Sequence, residues 1–246
     1  LSRIAVKLLK AARMATRAPL REDLAALRRQ QADLAARVIR HDALGPVRRI
    51  GGVDVSASRF DPGRMVHAAV VVLDWPSLAV VARVSASLPA VLPYMTGLLA
   101  FREVPAILAA LARLDTPPDL LMVDGQGIAH PRRCGIACHL GVVTGLPSIG
   151  VAKSRLVGVP VAPLGPEAGA CVKVEDRGEV VGALLRSRAR ANPLHVSVGH
   201  RVSLDTALHW VRATLRGRRL PEPTRAAHEW AGQARRAAMA PDSGGE

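Results

Sequence analysis

The stretch from residue 49 to residue 87 constrains the fold most. RRIGGVDVSASR alternates and is β-branched; the turn residues DPGR at 61–64 separate it from MVHAAVVVLDW; residues 78–87, LAVVARVSAS, form a third run. Three such runs with short polar connections predict an antiparallel meander. The pattern then changes. Residues 97–114 have helical spacing, with Pro105 expected to break or kink the helix after Glu103. DLLMVD reads as a short buried strand, 132–144 as a helix and LPSIGVA as another strand. Residues 170–175 and 180–185 form a hairpin around DRGE, LHVSV is one more strand, and 203–216 and 222–235 are helices. Ahead of the meander, residues 21–40 make an amphipathic helix. The expected fold is therefore α/β: a mixed sheet, three antiparallel strands followed by alternating helix and strand, with helices on both faces. No repeat or interdomain linker appears, so residues 21–231 are read as one domain. Residues 1–20 are read as a loose basic extension, and 232–246 as a disordered tail.

The formal net charge of +14 points to a polyanionic partner, because Lys and Arg contacts to phosphates dominate non-specific nucleic-acid affinity. The plainer source is base composition: 30 arginines accompany only four lysines in an alanine-rich chain. That bias singles out Lys153, the one lysine after an apolar, glycine-marked stretch. Three cysteines, Cys134, Cys138 and Cys171, are an odd number without zinc-knuckle spacing. They are read as buried thiols in a reducing compartment, the cytoplasm. No apolar run approaches the roughly 20 residues of a membrane span, and no coiled-coil seam appears, so a monomer away from membranes is expected.

Three carboxylates stand in unusual places. Asp54 interrupts the first strand, Glu103 follows the first turns of the helix after the meander, and Asp124 ends the fourth strand. A lone Asp in an apolar strand is costly to bury unless it is paired or binds a cation. Convergence at one end of the sheet would suit hard divalent cations, two of which, about 4 Å apart, support phosphodiester cleavage. From spacing alone, helix capping or pairing with nearby arginines stays open. The order itself resembles the ribonuclease H fold.

Longer segments carry a second resemblance. GGVDVS (51–56), PYMTGLLAFRE (93–103), VDGQGIAHPRRCGIACHLG (123–141), IGVAKSRL (149–156), NPLHVSVGHRVSLDTAL (192–208) and RLPEPTRAAH (219–228) are similar, in collinear order, to endonuclease V. That resemblance implies a Mg²⁺-dependent nuclease, with Mn²⁺ as substitute. It would nick DNA at the second phosphodiester bond 3' to a deaminated base, chiefly hypoxanthine, leaving 3'-hydroxyl and 5'-phosphate ends. An RNA substrate, or a less selective nuclease, are the alternatives within enzymes; a binding module that has lost chemistry is the alternative outside them. The resemblance makes Asp54 and Asp124 metal ligands, with Glu103 completing the cluster directly or through water. His228 takes the fourth position of the site and Lys153 the catalytic lysine's. It places Gly97, Leu99, Gly125, Gly127, Gly135 and Ile136 around a pocket for a base swung out of the stack, with Arg102, His130 and Leu156 near it. Backbone N–H groups there would favour a keto oxygen over an amino group. Tyr94 would belong to a wedge inserted where the base leaves the helix. Arg132, Arg133 and Arg201 are expected at phosphates. His200 is read as either functional or structural; His41, His67, His139, His195 and His209 are read as structural. Two departures stand out: PYMT places Thr96 where a second proline is frequent, and Gln126 stands where histidine is.

Overall fold

The computed structural model describes residues 21–57 and 65–239. The expected turn at 61–64, the N-terminal extension and the last residues of the tail lie outside the described residues. Helix α1 (Arg21–Ala36) leads to the three strands β1 (Arg49–Ala57), β2 (Met65–Asp74) and β3 (Val80–Pro89). Then follow α2 (Leu99–Leu111), β4 (Leu120–Val123), α3 (Ile136–Thr144), β5 (Ser148–Ala152), β6 (Val159–Pro160), β7 (Cys171–Asp176), β8 (Glu179–Leu185), β9 (Leu194–His200), α4 (Leu204–Ala213) and α5 (Glu222–Met239).

All nine strands form one sheet in the order β3-β2-β1-β4-β5-β9-β8-β7-β6. The meander is present: β1 pairs antiparallel with β2, and β2 with β3. β4 joins β1 in parallel and β5 joins β4 in parallel, so the sheet is mixed as expected. β9 returns antiparallel beside β5, and the β7–β8 hairpin extends the sheet beyond it. β2 is buried along nearly its whole length, as a strand covered on both faces should be. Helix α2 packs its Val104, Ile107 and Leu111 on the face carrying Val53, Leu121 and Val123, and α3 adds Ile136 and Leu140 there. On the opposite face, α4 packs Leu208 and Val211 over Ile50, Leu120 and Met122. α5 places Ala227 against Val71 and Leu73.

Four expectations need correction. Helix α2 runs through Pro105 without a break. The helix loses one backbone hydrogen bond there, but Val104, Ile107, Leu108 and Leu111 are all buried around it. α3 begins at Ile136, four residues later than its periodicity suggested, because residues 125–135 form a looped connection. α5 continues to Met239, so 232–239 is helix and not tail. Cys134 and Cys138 are buried thiols, but Cys171 is exposed.

Candidate active site

Strand register brings the two aspartates together. Val53 on β1 lies opposite Val123 on β4, so the next residues, Asp54 within β1 and Asp124 just past the end of β4, emerge side by side where the parallel pairing stops. A backbone hydrogen bond from Asp124 N to Val53 O, 2.9 Å, closes the ladder at that point. Ligands bind in such sheets outside the carboxyl ends of the strands.

The third member comes from α5. Gly52 and Asp54 share one face of β1, because side chains alternate along a strand. The helix sits directly on Gly52: a Cβ there would lie 1.8 Å from the carbonyl oxygen of Pro223. With no side chain in the way, the first turn of α5 rests on the strand, and His228 falls over Asp54. Its Nδ1 is 2.7 Å from Asp54 Oδ2. Asp54 Oδ1 meanwhile accepts a 2.7 Å hydrogen bond from Val55 N. One ligand atom from each of Asp54, Asp124 and His228 lies within 4.8 Å of the others. The carboxylate side chains are only 11% and 10% exposed, while His228 is 58% exposed, so the cluster opens to solvent on the histidine side.

Lys153, in the loop after β5, places Nζ 2.5 Å from Asp124 Oδ2. That oxygen is buried and has no properly directed hydrogen bond. The backbone around Lys153 is pinned from two sides: Gln126 Nε2 donates to Ser154 O at 2.8 Å, and Arg219 donates to Lys153 O at 3.1 Å. Gln126 thus links the Asp124 turn to the lysine loop. Glu103, on α2, stands outside the group of three but within electrostatic reach of it. Burial, then the charges of Asp54 and Asp124, push its carboxyl up to about 8 against the pull of Arg102. Burial and the neighbouring Asp124 charge raise Asp54 as well, partly offset by the His228 hydrogen bond and by Lys153. Mutually repelling, desolvated carboxylates are what a divalent cation relieves. The donor set, two hard carboxylates and an imidazole with a poorly satisfied buried oxygen, fits such an ion.

The expected base-pocket residues lie on three segments: the 93–99 loop into α2, the 125–136 turn into α3, and Leu156 beyond Lys153. Tyr94 is 66% exposed, which rules out a core role for it. Gly97 has φ +79°, a conformation that favours glycine. Its carbonyl accepts from Arg132 at 2.6 Å. The His130 ring hydrogen-bonds the same backbone. His130 Nδ1 accepts from Arg132 N, so the proton sits on Nε2, and burial followed by the Arg132 charge lowers this histidine to about 4. Arg102 donates to Leu92 O at 2.6 Å, holding the start of the loop. Two expected donors are engaged internally: Gly127 N donates to Ser197 Oγ at 2.8 Å, and Gly135 N to Gly127 O at 2.9 Å. Leu99 and Ile136 instead stand in the first turns of α2 and α3, and neither helix has a side-chain cap. First-turn amides lack partners inside their own helix.

The three arginines expected at phosphates have internal partners. Arg132 joins Gln31 of α1 at 2.5 Å to Gly97. Arg133 holds Glu179, Asp176 and the His130 carbonyl. Arg201 donates to the carbonyls of Ala43 and Gly145. Of the three, Arg133 is paired with carboxylates, whereas Arg132 and Arg201 bond neutral oxygens. His200 Nδ1 accepts from Ile39 N. Sequence reasoning missed Gly52, Gln31 and Arg219. The Gly51–Gly52 pair inside a strand was a usable sign of close backbone approach; Gln31, 1% exposed on a polar-looking helix, gave none.

The chain matches the family model for endonuclease V over residues 32–229. It is 50% identical over 207 residues to endonuclease V of Gloeobacter violaceus, covering 84% of each chain. The crystal structure of endonuclease V from Streptomyces avermitilis superposes with a TM-score of 0.83 at 42% identity, over 91% of this chain and 99% of that one. Endonuclease V from Ciona intestinalis, solved in complex with a 24mer DNA containing an inosine followed by a ribo-adenosine, gives a TM-score of 0.77 at 28% identity, over 89% of this chain and 100% of the other. By sequence and by its ribonuclease H-like fold, this chain belongs to the endonuclease V family of nucleases.

Proposed function

We propose that this protein nicks a DNA strand containing a deaminated purine, hydrolysing the second phosphodiester bond 3' to hypoxanthine and leaving 3'-hydroxyl and 5'-phosphate ends. The observation that carries the reading is the β1–β4 register that sets Asp54 beside Asp124, with His228 and Lys153 in contact with them. Asp54 and Asp124 would hold Mg²⁺, or Mn²⁺ in its place, with His228 beside them and Glu103 behind. When bound, such an ion supplies charge stabilisation at a phosphoryl oxygen and a more acidic water.

The chain's own groups do the rest. Lys153 brings a compact positive charge to the mouth of the acidic cluster, where a phosphate would otherwise meet only carboxylates. Glu103, titrating near 8, holds a proton at neutral pH and releases it when positive charge arrives nearby. Base selection is assigned to the first-turn amides of Leu99 and Ile136. A donor facing position 6 of a purine pairs with the keto oxygen of hypoxanthine and meets the amino group of adenine without a partner. An unmatched buried donor costs about 1–3 kcal/mol, which corresponds to roughly fivefold to a hundredfold discrimination. Tyr94, exposed on a loop anchored at Gly97 and Leu92, is assigned to filling the stack as the base leaves. The DNA-bound Ciona structure supports an inosine-bearing strand as substrate.

The test is a nicking assay on matched strands carrying inosine or adenine, as DNA and as RNA, with Mg²⁺ or with EDTA. Cutting of inosine DNA alone, abolished by EDTA, is expected. Equal cutting of adenine would defeat the pocket assignment, and a tenfold preference for RNA would move the substrate from DNA to RNA.

A further inference from the structure

Beyond Arg132, Arg133 and Arg201, each bonded within the protein, a second group of arginines is available to a sugar-phosphate backbone. Arg219 marks where. Its guanidinium donates to Lys153 O at 3.1 Å and to Asn192 O at 2.9 Å, and its own carbonyl accepts from Ser187 Oγ at 2.6 Å. One residue therefore gathers three loops, 153–158, 186–193 and 214–220, beside the catalytic lysine. These loops carry Arg155, Arg188, Arg190 and Arg218, all exposed. Among the described residues, none of the four forms an ion pair, whereas Arg40, Arg133 and Arg225 elsewhere each have a carboxylate. Glu167 sits on a loop bonded to the same turn, through Arg190 N to Pro166 O, yet pairs with none of them. Arg155 and Arg219 both lie near His195 on β9, whose pKa their charges lower after the larger effect of burial. Exposed guanidinium groups on loops tied together by one residue offer positive charge to an anion that passes over them.

We propose that Arg155, Arg188, Arg190 and Arg218 form a phosphate track leading away from Lys153, which seats the backbone of the strand being cut on one side of the scissile bond. The proposal rests on the nuclease reading above. Phosphate contacts position a strand without reading its bases, so the track holds inosine and adenine strands alike and leaves selection to the pocket.

The test measures affinity by fluorescence anisotropy against salt concentration, in EDTA so that no strand is cut. Probes are single-stranded and duplex DNA oligonucleotides with inosine or adenine at one position. The variants are Arg155→Gln, Arg218→Gln and the pair Arg188→Gln with Arg190→Gln. Each lost phosphate contact is expected to weaken binding several-fold and to reduce the slope of log affinity against log salt by about 1, equally for both bases. Arg113→Gln is the control: it lies just past the C-terminal end of α2, outside the three loops, and donates to Ser85 O. Wild-type slopes in the track variants overturn the proposal. So does an equal slope loss in the Arg113 control, or a loss confined to the inosine probe. Failure of the nuclease reading would be seen separately, as wild-type protein that nicks neither inosine nor adenine strands with Mg²⁺, while the salt slopes still report on the track.

Discussion

At the residue scale, the site depends on one missing side chain as much as on those present. Gly52 lets Pro223 of α5 rest on β1, and that seating carries His228 to Asp54. Gly52→Ala puts a Cβ into backbone that cannot move independently of the helix. It should cost about 1–3 kcal/mol or more, read as a lower urea midpoint, and should weaken nicking in the protein that remains folded. Unchanged stability would show that α5 is not seated as described. Lys153→Met should slow nicking about 100-fold, the scale of losing one group that stabilises developing charge. Because Lys153 is the counter-ion of Asp124, the same variant should bind Mn²⁺ at least as tightly as wild type. Parallel loss of metal binding and cutting would make the lysine a scaffold residue. Asp54, Asp124 and Lys153 stood out in the sequence because charge at the edge of an apolar run needs a reason. Gly52 was visible only as an oddity, since what approaches it lies 171 residues further on.

At the element scale, α1 is tied to the proposed wedge. Gln31 donates to Cys134 O and accepts from Arg132, and Arg132 holds Gly97. Charge-assisted bonds of this kind are worth about 1.5–3 kcal/mol. Arg132→Lys keeps the charge but cannot span both acceptors. It should raise KM for an inosine duplex about tenfold while kcat changes little. A fall in kcat at constant KM would place Arg132 in the chemistry and not in the loop. The meander, the β7–β8 hairpin and the two C-terminal helices were legible because their periodicity is local. The two-residue β6 was not, since so short a strand has no period. Nor was the continuity of α2 through Pro105, which is decided by the sheet beneath it.

At the scale of the whole molecule, burial favours the neutral form of four described histidines, three of them by a large margin. His130, His139 and His200 are each lowered to about 4. A group with a depressed pKa favours folding above its unfolded value of 6.5, and that contribution is lost as pH falls through the folded value near 4. Stability should therefore decline between pH 6.5 and 4. His139 packs edge-on against Phe101 and its Nδ1 has no partner. His139→Leu should raise the urea midpoint at pH 5 by more than at pH 7.5; an equal shift at both would remove His139 from the acid response. The sheet order, with β9 returning beside β5, depends on pairings between distant segments and had no signature in any one of them. The family resemblance proposed the base pocket and the catalytic set, but it could not foresee that all three expected phosphate arginines have partners inside the protein.

The central claim is that Asp54 and Asp124, set side by side by strand pairing, hold a divalent cation. Calorimetric titration of Mn²⁺ into the wild-type protein and the Asp124→Asn variant tests it most directly. Saturable binding by the wild type, weakened at least about tenfold in the variant, is the expected result; equal affinity in the two proteins would contradict it.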